Sequence, residues 1–355
     1  MSLLFTPLTR AASDSMNRAR GLMAGASPDN EDAEAADYNT GGHDVDDNDE
    51  DAITQNMKQL RMQMRGASPS LSVTELMSNT KLKVDMFFSQ RTTSQVMYKS
   101  EDLRQDQLVV QMITLIDRLW KSVNLDLRLT PYRVLATGPD DGLVEFIEHT
   151  STLTDVLKDY NQDIRSYFRK HSPDAKAEFG IDAEVMETFI RSSAGYCVIT
   201  YILGIGDRHL ENLMLKPTGH LLHIDFGFIF GKDPKPMPAP MRLTKEMVQC
   251  MGGKDSVGFA AFQRYCCQGY NILRYKAPLI LSLLNLLKDS GIKDFCVTQN
   301  ANQVIEQVKE KLRLDLSVED EASAEEHLKA KLEDSVSAIM PVLMDMVHGA
   351  AVATR

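Results

Sequence analysis

The chain lacks the cysteine pattern of a disulfide-stapled or zinc-binding protein. Its 355 residues include five cysteines, an odd number, with no C-x-x-C pair and no histidine at metal-ligand spacing. Such sparse, unpaired cysteines are typical of reduced thiols in the cytosol. We therefore predict a cytoplasmic protein without structural disulfides or a zinc site.

Long hydrophobic runs are also missing. The most apolar stretches, residues 196–205 and 277–287, are too short or too interrupted by polar residues to span a bilayer. The first 25 residues contain three arginines but no clear amphipathic face and no secretory hydrophobic segment. Any contact with a membrane is therefore predicted to be peripheral.

An excess of basic charge is absent as well. The formal net charge is −11, but residues 29–51 alone contain 11 acidic residues and no lysine or arginine. The rest of the chain carries 39 acidic and 39 basic residues and is close to neutral. This balance gives no electrostatic footprint for nucleic acid, which we exclude as a partner.

The composition divides the chain into an acidic tail and a globular body. Residues 1–66 have little apolar periodicity, and we predict that they are disordered. Apolar and β-prone patterns then predict a strand-rich part over residues 67–148 and a helical part over residues 149–355, which gives an α+β fold. The predicted strands are residues 84–88, 94–98, 132–136 and 142–147. The predicted helices are residues 102–120, 153–157, 182–203, 259–287, 302–312 and 322–348, the last of them amphipathic with a kink at Pro341.

Two short motifs within residues 204–227 carry the strongest functional signal. The sequence Asp-Arg-His begins at Asp207, Asn212 follows five residues after it, and Asp-Phe-Gly begins at Asp225 a further thirteen residues on. Transfer of a γ-phosphoryl group requires a base or orienting group at the nucleophile and oxygen ligands for Mg²⁺. These three side chains are of the required types, so the motifs together predict a phosphoryl-transfer centre.

A lysine and an aspartate upstream fit the same chemistry. Lys99 ends a predicted strand, and Asp106 lies on the predicted helix that follows it. Kinases use a strand lysine held by a helix carboxylate to place a cation on the ATP phosphates. We predict this role for the pair, although a lysine and an aspartate seven residues apart more often form a surface ion pair.

These motifs resemble the phosphatidylinositol 3-/4-kinase superfamily, in which Asp-Arg-His replaces the His-Arg-Asp of ordinary protein kinases. The D-P-K-P and P-M-R-L sequences after Asp225, with D-L-R-Q-D-Q, P-Y-R-V-L-A-T and F-R-K-H-S-P, resemble its class III, vacuolar-sorting type. The resemblance covers about residues 95–348. Where the superfamily has K-x-G-D-D-L-R-Q-D, this chain lacks the glycine and is one residue shorter.

The resemblance implies a bilobal protein-kinase-like fold and specific roles for site residues. Asn212 and Asp225 would hold Mg²⁺, with Mn²⁺ as an alternative, and Lys99 would contact the phosphates of ATP. Asp207 and His209 would act on an inositol hydroxyl, with His209 favoured as the base and Arg208 as a support. The other residues expected to bind ATP are Ser78, Asp106, Tyr132, Phe146, Ile147, Met214 and Ile224.

The loop after Asp225 is expected to face the lipid. It has few cations, namely Lys232, Lys235 and Arg242, and a head group with extra phosphates would require more. By resemblance, the substrate is phosphatidylinositol, phosphorylated at its 3-hydroxyl on endosomal and autophagic membranes. A kinase-like regulatory subunit is the expected protein partner.

Two alternatives remain open at this point. One is a phosphatidylinositol 4-kinase or a related protein kinase, which the proline-rich loop after Asp225 disfavours. The other is a non-catalytic scaffold that keeps the fold, which nucleotide binding without lipid turnover would support. Membrane contact by the final helix is a further hypothesis. No Phe, Tyr or Trp follows Phe295, so the helix lacks the aromatic residues that anchor segments at a membrane interface.

Overall fold

The computed structural model describes residues 95–236 and 238–337. Several predictions lie outside these residues. They are the disordered segment 1–66, the ATP contact of Ser78, the strand at residues 84–88 and the part of the last helix beyond residue 337.

The strand-rich part of the described chain is a three-stranded antiparallel sheet in the order β1-β3-β2. Its strands are β1 (Val96–Lys99), β2 (Val134–Ala136) and β3 (Gly142–Glu145). Met97 and Val134 both pair with Val144, so the three side chains form one row across the sheet. Lys99 lies two residues after Met97 and therefore shares its face. This row becomes one wall of the cavity described below.

Helix α1 (Arg104–Lys121) packs beside this sheet and buries an apolar stripe. The predicted helix over residues 102–120 is confirmed, including the buried side chains of Leu108, Met112 and Ile116. The side-chain oxygen of Gln107 accepts the Ala136 N–H at 2.7 Å and ties α1 to β2. The helix therefore presents its first turn at a fixed position relative to the sheet.

A second small sheet follows, which the sequence patterns did not reveal. Its antiparallel order is β4-β5-β6, with β4 (Ser151–Thr152), β5 (Leu213–Leu215) and β6 (Leu221–His223). Helices α2 (Leu153–Asp159) and α3 (Ile164–His171) lie between β4 and the next helix in the chain. Strands of two or three residues are too short for an alternating pattern to be recognised.

Helix α4 (Ala183–Leu203) is the buried centre of the helical part, and it matches the predicted helix over residues 182–203. Asp182 caps its first turn by accepting the Glu184 N–H at 2.8 Å. Its last turn ends at Gly204, which has a φ of 56°, a left-handed conformation that glycine adopts without strain. The chain leaves this fixed end directly into the Asp-Arg-His sequence.

The other α-helices of the described residues are α5 (Lys245–Cys250), α6 (Val257–Tyr275), α7 (Ala277–Leu286), α8 (Ala301–Lys311) and α9 (Glu321–Ser337). The prediction of a single helix over residues 259–287 was wrong. The chain breaks at Lys276, and Pro278, which cannot donate a backbone hydrogen bond, lies in the first turn of α7. In α9 the predicted apolar stripe packs on the core through Leu328 and Leu332.

Two small antiparallel sheets and a large helical part make this an α+β protein, as predicted. The core is continuous from α1 through α4 and α6 to α9. The site described next lies where the first sheet meets the second. Both sheets therefore contribute rigid walls to it.

Candidate active site

A cavity of about 170 Å³ lies between the two sheets. One part of its lining is apolar and consists of Met97, Tyr132, Val134, Val144, Phe146, Ile147, Met214 and Ile224. The other part is polar and consists of Lys99, Asp106, Glu145, Thr150, Asn212 and Asp225. An apolar slot with a few converging polar groups is the usual form of a small-ligand site, and here it suits a flat ring attached to a charged chain.

The cavity brings together nine residues that the sequence assigned to ATP or to metal. The five predicted ring contacts, Tyr132, Phe146, Ile147, Met214 and Ile224, all line it, as do Lys99, Asp106, Asn212 and Asp225. Tyr132 is buried, and burial raises the pKa of its hydroxyl, which stays neutral. The structure gives the arrangement of these side chains, and their nucleotide contacts stay a prediction.

Lys99 is held by a different carboxylate from the one expected. Its Nζ lies 2.7 Å from Glu101 Oε1, and no ion pair between Lys99 and Asp106 occurs within the described part of the chain. This contact lies in the turn where the sequence is one residue shorter than the superfamily pattern. Burial lowers the pKa of Lys99, but the Glu101 hydrogen bond and the charges of Glu101, Asp225 and Asp106 leave it raised.

Asp106 instead anchors the Asp-Phe-Gly segment. Its Oδ1 accepts the Phe226 N–H at 2.9 Å. Burial, followed by the nearby charge of Asp225, raises the pKa of the Asp106 carboxyl, although the Phe226 N–H and Lys99 act in the opposite direction. Helix α1 thus fixes the backbone beside Asp225 as well as lining the cavity.

Asn212 and Asp225 could hold a divalent cation together with oxygens of a bound phosphate. Asn212 is buried, and its Nδ2 donates to the Asp207 carbonyl at 2.9 Å, which leaves its Oδ1 as the group available to a cation. The Asp225 carboxylate is exposed at the cavity. Among residues 95–236 and 238–337, no cluster of three or more His, Cys, Asp or Glu side chains could hold a metal alone. Two oxygen donors with substrate phosphates match how proteins bind Mg²⁺.

Arg208 connects the two motifs from the protein interior rather than from the cavity. Its guanidinium donates to the carbonyls of Gly206 at 2.8 Å, Ile224 at 2.7 Å and Asp225. Burial lowers its pKa to about 10, so it remains protonated at neutral pH. The structure therefore places Arg208 where it supports the geometry of both motifs, as the sequence suggested for this residue.

Asp207 and His209 lie in the loop between α4 and β5, which we call the catalytic loop after its predicted role. Neither residue belongs to the cavity lining. The Nε2 of His209 is 3.8 Å from Asp207 Oδ2, and the side chains of both residues are partly accessible to solvent. The backbone of Asp207 is left-handed, with a φ of 52°. Two of the three residues predicted to be catalytic therefore lie side by side, and their action on a hydroxyl stays a prediction.

Three cations after Asp225 were expected to face the lipid, and the structure contradicts that expectation for Arg242. Lys235 Nζ lies 3.4 Å from Asp207 Oδ1, so this lysine stands beside the catalytic loop. Lys232 is partly exposed in the same loop. Arg242 was expected to face the substrate, but only 6% of it is exposed, and its charge helps to lower the pKa of buried His223. That expectation was wrong, because the chain has turned inward by Arg242, whose carbonyl accepts a hydrogen bond from Cys197 on α4.

The sequence reasoning missed several residues of the site. Met97, Val134 and Val144 could have been found, because residues two apart on a strand share a face and Met97 precedes Lys99 by two. Asp233 was not among the predicted site residues, yet its carboxylate accepts the backbone N–H of Asp207. No local pattern identifies that contact, which joins residues 26 positions apart.

A fold of this kind, with a strand lysine, an amide and a carboxylate around one cavity, defines the kinase-like class of phosphotransferase folds. Within that class the chain belongs to the phosphatidylinositol 3- and 4-kinase family, whose pattern matches residues 93–296. The matched segment contains every part of the cavity lining.

Named relatives agree with this placement. The chain is 53% identical over 250 residues to "Phosphatidylinositol 3-kinase, root isoform" of Glycine max, which covers 70% of this chain and 30% of that protein. It is 50% identical over 250 residues to "Phosphatidylinositol 3-kinase VPS34" of Arabidopsis thaliana, with the same coverage. It is 46% identical over 257 residues to the Saccharomyces cerevisiae protein of that name, covering 72% of this chain and 29% of the yeast protein.

The chain therefore spans less than a third of the length of these curated relatives. Within the described residues, no helix combines the length and the apolar character that crossing a membrane would need.

Proposed function

We propose that this chain transfers the γ-phosphate of ATP to the 3-hydroxyl of phosphatidylinositol. The observation that carries the proposal is the convergence of Lys99, Asn212 and Asp225 on one cavity whose other wall is apolar. The relatives with the names given above support the choice of lipid and of hydroxyl. The proposed setting is the cytoplasmic face of endosomal and autophagic membranes, with a kinase-like regulatory subunit as partner.

The residues of the chain divide the work between binding and reaction. The adenine ring would lie between the apolar side chains of both sheets, and Lys99 would contact its phosphates. Asn212 and Asp225 would hold Mg²⁺ through their side-chain oxygens. When bound, that ion offsets the negative charge that develops on the phosphate oxygens.

The catalytic loop would prepare the nucleophile. Asp207 would orient the inositol hydroxyl, and His209, whose Nε2 lies 3.8 Å from the Asp207 carboxylate, would accept its proton. Arg208 would keep this loop in register with Asp225 through the three backbone carbonyls that it binds. Lys232 and Lys235 would contact the single phosphate of the lipid.

Transfer assays on liposomes test this proposal. Purified protein would be incubated with Mg²⁺, labelled ATP and liposomes of phosphatidylinositol, its 4-phosphate or its 4,5-bisphosphate, alongside the Asp225→Ala variant. We expect label in phosphatidylinositol alone, reduced at least about 100-fold in the variant. ATP binding without labelled lipid would instead support the scaffold alternative, and labelled protein would support a protein kinase.

A further inference from the structure

The carboxylate of Asp233 joins the catalytic loop to the loop that follows Asp225. Its Oδ2 accepts the backbone N–H of Asp207 at 2.8 Å, and its Oδ1 accepts the backbone N–H of Lys235 at 2.8 Å. We call these two hydrogen bonds the Asp233 bridge. One side chain thus holds the main chain at both a proposed catalytic residue and a proposed substrate contact.

The two loops approach too closely for this arrangement to be incidental. A Cβ added at Gly206 would overlap the Lys232 carbonyl and would lie 2.9 Å from Asp233 Oδ2. The N–H of Gly206 also donates to the Phe228 carbonyl at 2.9 Å. Only glycine fits where the two loops approach each other at residue 206, so the backbone paths of both loops keep Asp233 close to the catalytic loop.

Asp207 needs such support because its backbone conformation is unfavourable. Its φ of 52° lies in the left-handed region, which residues other than glycine adopt only at a cost in energy, although aspartate does so more readily than most. A hydrogen bond to a charged acceptor is stronger than one between neutral groups and can offset such a cost. Holding the N–H of Asp207 therefore fixes the backbone from which its carboxylate projects.

We propose that Asp233 is a positioning residue that couples placement of Lys235 to the orientation of Asp207. Lys235 Nζ lies 3.4 Å from Asp207 Oδ1, and the bridge holds the backbone of both partners. A phosphate on the incoming lipid competes for the Lys235 ammonium and releases the Asp207 carboxylate toward the hydroxyl. This inference rests on the proposed function.

Steady-state kinetics of Asp233→Ala and Asp233→Asn test the coupling. The readouts are kcat and KM for phosphatidylinositol, and the rate of ATP hydrolysis in the absence of lipid. Loss of the bridge misplaces Asp207 for any nucleophile, so Asp233→Ala should lower both kcat and hydrolysis about 10- to 100-fold. Asp233→Asn keeps one acceptor oxygen and should recover part of both rates.

Asp163→Asn is the matched control. Asp163 also accepts two backbone N–H groups, those of Arg165 at 3.0 Å and Ser166 at 3.1 Å, but it lies outside the proposed site. We expect it to lower the melting temperature without lowering kcat or ATP hydrolysis.

Each outcome decides the coupling. If Asp233→Ala raises only the KM for lipid and leaves hydrolysis at the wild-type rate, Asp233 acts on the substrate loop alone and the inference is wrong. It is also wrong if Asp163→Asn lowers hydrolysis as much as Asp233→Asn. Wild-type protein that hydrolyses ATP but labels no lipid would contradict the proposed function, while the hydrolysis comparison would still test the bridge.

Discussion

Lys99 lines the cavity among negatively charged side chains. It contacts Glu101 at 2.7 Å, and the charge of Asp225 also acts on it. Both members of the Lys99–Glu101 pair are more than a third exposed, so their attraction is weak. An ATP phosphate can therefore displace Glu101 from the lysine at small cost.

We expect Glu101→Gln to lower the KM for ATP about two- to five-fold, because an exposed ion pair contributes up to about 1 kcal/mol. The measurement is the ATP dependence of the steady-state rate. Glu306→Gln is the control, since Glu306 forms a similar exposed pair with Lys309 on α8 and should leave the KM unchanged. A raised KM in Glu101→Gln would mean that Glu101 orients Lys99 for binding.

At the residue scale, the sequence was most informative where chemistry requires a particular side chain. Asn212, Asp225 and Lys99 were chosen for their donor types, and the structure brings all three to one cavity. Arg242 was chosen for its charge alone, and the structure buries it. Charge in a sequence does not reveal which way a chain turns, whereas a pair of spaced motifs constrains the fold around them.

At the scale of elements, Arg208 holds the catalytic loop against the segment that follows β6. Arg208→Lys keeps the positive charge but loses the planar guanidinium that reaches three carbonyls. We expect a loss of about 2–4 kcal/mol in the free energy of unfolding and a fall of about 10- to 100-fold in kcat per folded molecule.

Arg274→Lys is the matched control for that substitution. Arg274 is also buried and binds only backbone carbonyls, which belong to residues 312, 313, 317 and 320. Denaturant unfolding should show that both variants are destabilised. Steady-state rates should show that only Arg208→Lys has a lower kcat. Equal kcat values in the two variants would show that Arg208 contributes stability and nothing further.

Lys311, the last residue of α8, lies next to Gly204 at the C-terminal end of α4. A Cβ at Gly204 would lie 2.5 Å from Lys311 Nζ, and burial lowers the pKa of Lys311 from 10.5 to about 8. Since the folded-state pKa is the lower one, the unfolded chain binds more protons between about pH 8 and pH 10.5. The contribution of Lys311 to the free energy of unfolding therefore rises with pH across that window.

We expect Lys311→Met to remove this rise and to stabilise the protein at pH 7 by about 1–2 kcal/mol. Denaturant unfolding of wild type and variant at pH 7 and pH 10 would measure the difference, and other titrating groups cancel in it. Lys309→Met, at a partly exposed position of the same helix, should leave that difference near zero. A variant less stable than wild type at pH 7 would mean that the ammonium caps α4 favourably.

Long amphipathic helices were predictable because each has many positions that repeat one pattern. Helices α1, α4 and α8 lie within a few residues of the predicted ranges. The second sheet was not predictable, since its strands are held by pairing between distant segments such as Ser151 and Leu215. The break at Lys276 could have been predicted from Pro278 two residues later, but the prediction rested on the apolar pattern alone.

At the scale of the whole molecule, the described chain contains one kinase-like unit and a site at which all the required side-chain types meet. Under the proposed function, lipid choice would depend on the loop after Asp225, in which Lys232 is partly exposed and Lys235 is paired with Asp207. This sparse positive charge suits a head group with a single phosphate better than one with several. The central claim is therefore that one hydroxyl of one lipid receives the phosphate.

The decisive experiment separates the positional isomers of the phosphorylated lipid. Wild-type protein, Mg-ATP and phosphatidylinositol liposomes would be incubated together, and the monophosphate products separated by the position of the new phosphate. We expect phosphatidylinositol 3-phosphate as the product of the wild-type protein, and none from Asp225→Ala. Phosphatidylinositol 4-phosphate from the wild-type protein, or the 3-phosphate from both proteins in equal amounts, would contradict it.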